Sequence, residues 1–102
     1  VRVEIRPLFD EQVMAAELPI RKAAAKAVET LVAVKSFARL PAHKGLNFEK
    51  IHGMTLPETG DPIHSVRISR GARAFSILRE GHTLVLVSLA VDHDGANRVG
   101  RG

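Results

Sequence analysis

The stretch from Ile63 to Asp94, IHSVRISRGARAFSILREGHTLVLVSLAVDHD, constrains this chain more than any other. It reads as three consecutive β-strands joined by tight turns at Arg70-Gly71 and Glu80-Gly81. In the first of these strands His64, Val66 and Ile68 share one face, and Ser65 and Arg67 share the other. A two-residue turn at Arg70-Gly71, with glycine supplying positive φ, pairs Ser69 with Ala72, Ile68 with Arg73, Arg67 with Ala74 and Val66 with Phe75. That register leaves Arg67 and Arg73 on opposite faces. They converge only if a bulge or a three-residue loop shifts the pairing. A second two-residue turn brings Thr83 opposite Leu78. The last strand, Thr83 to Val91, is apolar on both faces, which predicts a central strand covered at least partly on both sides.

The residues before this meander predict its partners. Val1 to Arg6 alternates apolar and charged side chains and ends at Pro7, the pattern of a half-buried strand. Asp10 is placed to cap a short helix that turns Val13 and Met14 inward and stops near Leu18. Pro19 suits the first turn of a second helix. In that helix Ile20, Ala24, Ala27, Leu31 and Val34 form one apolar stripe. Between Ser36 and Asp61 the periodicity breaks at Pro41, Gly45, Gly53, Pro57 and Gly60, which reads as a long loop pinned by spaced apolar residues. The order is one strand, a helical hairpin and a three-strand meander. It predicts a single α+β domain over residues 1–102, two-layered and β-α-α-β-β-β. The helical hairpin packs on a mostly antiparallel four-stranded sheet. The uncovered face, around Ser65, Arg67, Ala74 and Ser76, is open enough to receive a ligand.

Composition narrows the chemistry. The chain has no Cys, which removes disulfides, thiolate metal sites and cysteine nucleophiles. It has four Phe but no Trp or Tyr, so the core must be built from aliphatic residues. The formal charge of +4 favours nucleic acid or an acidic protein as partner. No apolar run reaches membrane-spanning length. The opening VRVEIRPLFD carries charges where an export signal would carry an apolar block, so a cytoplasmic protein is expected.

Three sets of residues carry candidate chemistry. Arg67, Arg70 and Arg73 gather near the first turn, where guanidinium groups bind phosphate in bidentate fashion. His93, between Asp92 and Asp94, has the surroundings of an oriented acid or base. The remaining histidines are scattered, so no metal site and no cofactor is expected. Lys44 and Lys50 make the long loop basic and able to meet a nucleic-acid backbone.

The segments LNFEKI (46–51), HSVRISRGARAFSIL (64–78) and LVLVSLAVDHDGAN (84–97), in this order, resemble the RelE/ParE toxin superfamily of bacterial type II toxin–antitoxin modules. The β-α-α-β-β-β order agrees, so the resemblance covers nearly the whole chain. It implies a small basic toxin held by a cognate antitoxin. RelE-like members are metal-independent endoribonucleases that cut mRNA, usually in the ribosome, and so inhibit translation. ParE-like members poison DNA gyrase without being enzymes. Carried over by position, Arg73 would stabilise the scissile phosphate and His93 would move protons. Arg67 and Arg70 match the family's basic strand and turn and would bind RNA, Asn97 would position it, and Lys44 and Lys50 of the basic loop would add to RNA binding. Ala72 and Asn97 stand where the family often has Tyr, so a tyrosine acid or base is impossible here. Three expectations therefore stand: an mRNA endoribonuclease, a gyrase poison, or an inactive member that only binds its antitoxin.

Overall fold

A computed structural model describes residues 1–92. Its elements follow in the order β1 (Arg2–Ile5), α1 (Pro7–Ala15), α2 (Leu18–Ala33), β2 (Glu49–Thr55), β3 (Pro62–Ser69), β4 (Ala72–Arg79) and β5 (Thr83–Val91). The strands form one sheet in the order β1-β5-β4-β3-β2, with β1 parallel to β5 and every other pair antiparallel. The sheet thus has five strands rather than four, because β2 forms within the segment expected to be a loop. Two short 3₁₀ turns, Phe37–Arg39 and Lys44–Leu46, lead into it.

Proline starts both helices. Pro7 opens α1, where its missing N–H costs nothing, and Arg6 occupies the cap position. Asp10 therefore sits inside the first turn and does not cap it. The helix stops at Ala15, where the Ala16 amide turns back to the Val13 carbonyl. Val13 packs towards the core, whereas Met14 remains 64% exposed, against the inward placement expected of it. In α2 the stripe is as predicted. Ala24, Ala27 and Leu31 are buried, as is Val34 just past the helix end, and Ile20 packs beside them. The two alanines let α2 lie close over the sheet, where it touches both β1 and β3. The Leu89 amide donates to Gln12 Oε1 at 2.7 Å, which ties α1 to β5.

The helix-covered face holds the main core, centred on Leu31, Val66, Ala74, Leu84 and Leu86. Each fully buried leucine there contributes about 1.5–3 kcal/mol. A smaller core on the opposite face joins Leu56, Ile63, Ile77 and Val85. Leu56 comes from the β2–β3 loop, which is closed by the Leu56 amide donating to the Asp61 carbonyl at 2.8 Å. Glu58 of this loop reaches Arg6, which follows β1 at the far edge of the sheet, at 3.6 Å. Leu84, Val85 and Leu86 are consecutively buried because β5 faces both cores, as its sequence predicted.

The meander departs from its expected register at both turns. Ser69 pairs with Ala72, but the next pair is Arg67 with Arg73, leaving Ile68 as a bulge on β3. The reason lies in the hydrophobic pattern. An unbulged hairpin would put Ile68 opposite Arg73, so one face would have to bury a guanidinium or expose Ile68. With the bulge, Val66, Ile68, Ala72 and Ala74 all pack in the helix-side core. Ala74 and Ser76 therefore lie on the covered face rather than the open one. Neither Arg70 nor Gly71 has positive φ. Glycine at position 71 instead eases a close backbone approach. Its carbonyl accepts from the Asp92 amide at 2.6 Å, and a Cβ would meet the Asp92 carbonyl oxygen at 3.3 Å. The second turn takes three residues, so Arg79, not Leu78, faces Thr83. Gly81 (φ 75°) and His82 (φ 56°) supply its left-handed backbone.

Candidate functional site

The small second core closes part of the face opposite the helices. The part that remains open, near the β3–β4 turn, forms a cleft of about 500 Å³. Its cationic side is Arg67, Arg70 and Arg73; Asn47, Glu49, Ser65, Phe75 and Asp92 complete much of the wall. Arg67 and Arg73 are direct cross-strand partners, and both are exposed. Side chains opposite each other begin about 4.5–5.5 Å apart at Cβ, and like charges so placed are destabilising. Two guanidinium groups so placed can be bridged by one anion, and phosphate matches their fork geometry.

β2 brings in the carboxylate and amide. Glu49 is the register partner of Ser65, on the open face. Asn47, just before the strand, has a left-handed backbone (φ 43°) that turns the chain from the Lys44–Leu46 turn into β2. The sequence does not single out either residue, because the exposed edge strand that carries Glu49 has no apolar period. The cleft thus sets three guanidinium groups beside the carboxylates of Glu49 and Asp92, one chemistry for binding phosphate and one for accepting a proton.

The other sequence candidates are placed as follows. Lys50 pairs with His64, whose ring stacks on Phe48 at 4.9 Å on the helix-facing side, so Lys50 belongs to the face away from the cleft. Lys44 is exposed in its 3₁₀ turn and does not line the cleft. His93 and Asn97 lie outside the described residues. Asp92, at the end of the described chain, lines the cleft. His64 has its pKa lowered, first by burial and then by the nearby Lys50 ammonium, against an opposing effect of the Pro62 backbone. Its Nδ1 is buried without a hydrogen-bond partner, so the ring is held as a packing element beside β2. Among the described residues no three His, Asp or Glu side chains gather as metal ligands. No described helix is long and apolar enough to cross a membrane.

No family model matches the chain. No curated protein matches it either. Among solved structures it is similar to a chain of the archaeal RelE-RelB complex from Pyrococcus horikoshii OT3. The two share 15% identity and superpose with a TM-score of 0.64, covering 91% of this chain and 96% of that one. The chain therefore has the RelE-like fold, with two helices on a five-stranded, mostly antiparallel sheet.

Proposed function

We propose that this protein is the toxin of a bacterial type II toxin–antitoxin module and that it acts as a metal-independent mRNA endoribonuclease. The observation that carries the reading is the pairing of Arg67 with Arg73 across the β3 bulge, in a cleft on the open face of a RelE-like sheet. In this reading the two guanidinium groups hold the scissile phosphate and stabilise the charge that builds on it during attack. The nucleophile is the adjacent 2′-hydroxyl of the RNA itself. Its oxygen bonds to phosphorus while the bond to the 5′-oxygen breaks, giving a 2′,3′-cyclic phosphate and a 5′-hydroxyl. Glu49, on the same cleft wall, takes the proton from the 2′-hydroxyl. His93 is the group we assign to protonating the departing 5′-oxygen. Arg70 and Asn97 contact flanking nucleotides. Lys44 and Lys50 act at longer range, Lys50 from the opposite face.

A cytoplasmic location follows from the substrate, and the ribosome is where such mRNA would be met. A cognate antitoxin is the expected partner, because an arginine-lined cleft on a chain of charge +4 favours an acidic segment. The similar archaeal structure is itself a RelE-RelB complex.

Induced expression in a bacterium, followed by mapping of mRNA ends, tests the reading. New 5′-hydroxyl ends are expected with the wild type and are lost with Arg73→Ala and Glu49→Gln. Growth arrest without new mRNA ends would sink the nuclease reading. Inhibition of purified gyrase in a supercoiling assay would then put the ParE-like activity in its place.

A further inference from the structure

We infer that Phe75 is a stacking platform for a nucleobase of single-stranded RNA, set beside the arginine pair that takes the phosphate. The inference rests on the RNA-binding reading of the cleft and names the part of the substrate that reading leaves without a partner. Phe75 lies two residues beyond Arg73 on β4, which keeps both on the open face of the sheet. Two residues of strand span about 7 Å, the length scale on which a nucleotide separates its phosphate from its base. The register partners of Phe75 are Ser65 on β3 and Ser88 on β5. Both are small, so no bulky side chain directly opposite walls the ring in on either flank. Behind it, Ile77 and its neighbours in the small core support the ring.

The other three phenylalanines have evident structural tasks. Phe9 is 3% exposed in the main core. Phe37 packs edge-on to His82 at 5.5 Å, and Phe48 stacks on His64. Phe75 alone of the four lines the cleft, where it is only half-buried beside three arginines. An aromatic ring next to a phosphate-binding group is the arrangement by which proteins hold single strands. Stacking tolerates any base, because every base has a π-face. In a chain without Tyr or Trp, Phe75 supplies the aromatic ring of the cleft.

The test compares two probes on the whole chain. One is a short fluorescent 2′-O-methyl oligoadenylate, which cannot be cleaved because its nucleophile is blocked. The other carries the same phosphates on abasic residues. By fluorescence anisotropy the wild type is expected to bind the oligoadenylate about five- to a hundredfold more tightly than the abasic strand. Phe75→Leu, which keeps apolar volume over Ile77, is expected to abolish that preference, leave the abasic affinity unchanged and retain the thermal unfolding midpoint. Phe75→Tyr is expected to keep the preference. Equal wild-type affinity for the two probes overturns the stacking inference, as does an equal loss on both in Phe75→Leu, while the phosphate reading survives. Failure of the wild type to bind either probe overturns both.

Discussion

If Arg67, Arg70 and Arg73 are the phosphate site, removing one of them should change the salt dependence of RNA binding by a calculable step. Each phosphate neutralised on a single strand contributes about −0.7 to the slope of log K against log salt. With Arg67 and Arg73 sharing the scissile phosphate and Arg70 on a neighbouring one, the slope is about −1.4, so affinity should fall about sevenfold between about 50 and about 200 mM salt. Arg73→Ala, which breaks the shared contact, should bring the slope to about −0.7 and the fall to about threefold. The natural control is Arg79→Ala. Arg79 is exposed at the other end of β4, on the same face, six residues or about 20 Å from Arg73. At about 0.1 M salt the Debye length is about 10 Å, so a charge at that distance is largely screened from a strand in the cleft. The two variants change net charge equally and differ only in position. Anisotropy titrations of the 2′-O-methyl probe across a salt series read both slopes. Equal reductions in the two variants would mean that binding is spread over the basic surface, and the cleft would lose its claim to be the site.

Two further outcomes test the fold around the cleft. Leu31→Ala removes a fully buried side chain beneath the sheet and should cost about 2–5 kcal/mol, lowering the unfolding midpoint by at least about 8 °C. Met14→Ala, at a 64% exposed position, should change stability by less than about 0.5 kcal/mol, and a large loss there in thermal circular dichroism would contradict the placement of α1. The lowered pKa of His64 means that the unfolded chain binds the extra proton first. His64 therefore contributes stability that is complete above the ordinary value of 6.5 and is lost as pH falls through its folded pKa. Urea unfolding as a function of pH should show this acid-side loss in the wild type and less of it in His64→Phe, which keeps the stack on Phe48. The same pH dependence in both proteins would refute it.

The parts of the fold that could be read from sequence are those whose burial leaves a strong period. The α2 stripe and the apolar run of β5 are such cases, because each faces a core along its whole length. β2 escaped for the converse reason. As an edge strand with only Ile51 half-buried and the rest exposed, it has no sustained apolar face to read. Asn47 and Glu49 were missed with it. The register of the hairpin was a harder problem, since one residue of slip moves every side chain to the other face. The hydrophobic pattern did contain the answer. A bulge or a three-residue loop places Val66 and Ile68 with Ala72 and Ala74 and also frees both arginines, and the structure takes the bulge. Turn chemistry alone pointed to the wrong pairing, because Gly71 is there for close approach to Asp92 rather than for a left-handed turn.

The bulge connects the stability of the sheet to its candidate chemistry. Burying Ile68 on the helix side forces the one-residue shift, and the shift sets Arg67 opposite Arg73. Like charges placed opposite each other in register oppose folding, though both side chains are exposed and screened by solvent. The pairing persists because the apolar gain on the other face outweighs a repulsion that solvent screens. The Arg67–Arg73 repulsion then works in favour of binding. An anion bridging the two guanidinium groups would relieve that repulsion as well as make favourable contacts. The small core around Leu56 and Ile77 covers another part of this face, and Phe75, between that core and the arginines, is the boundary between the two. A base on Phe75 and its phosphate on Arg73 would therefore complete the layer that Leu56, Ile63, Ile77 and Val85 begin.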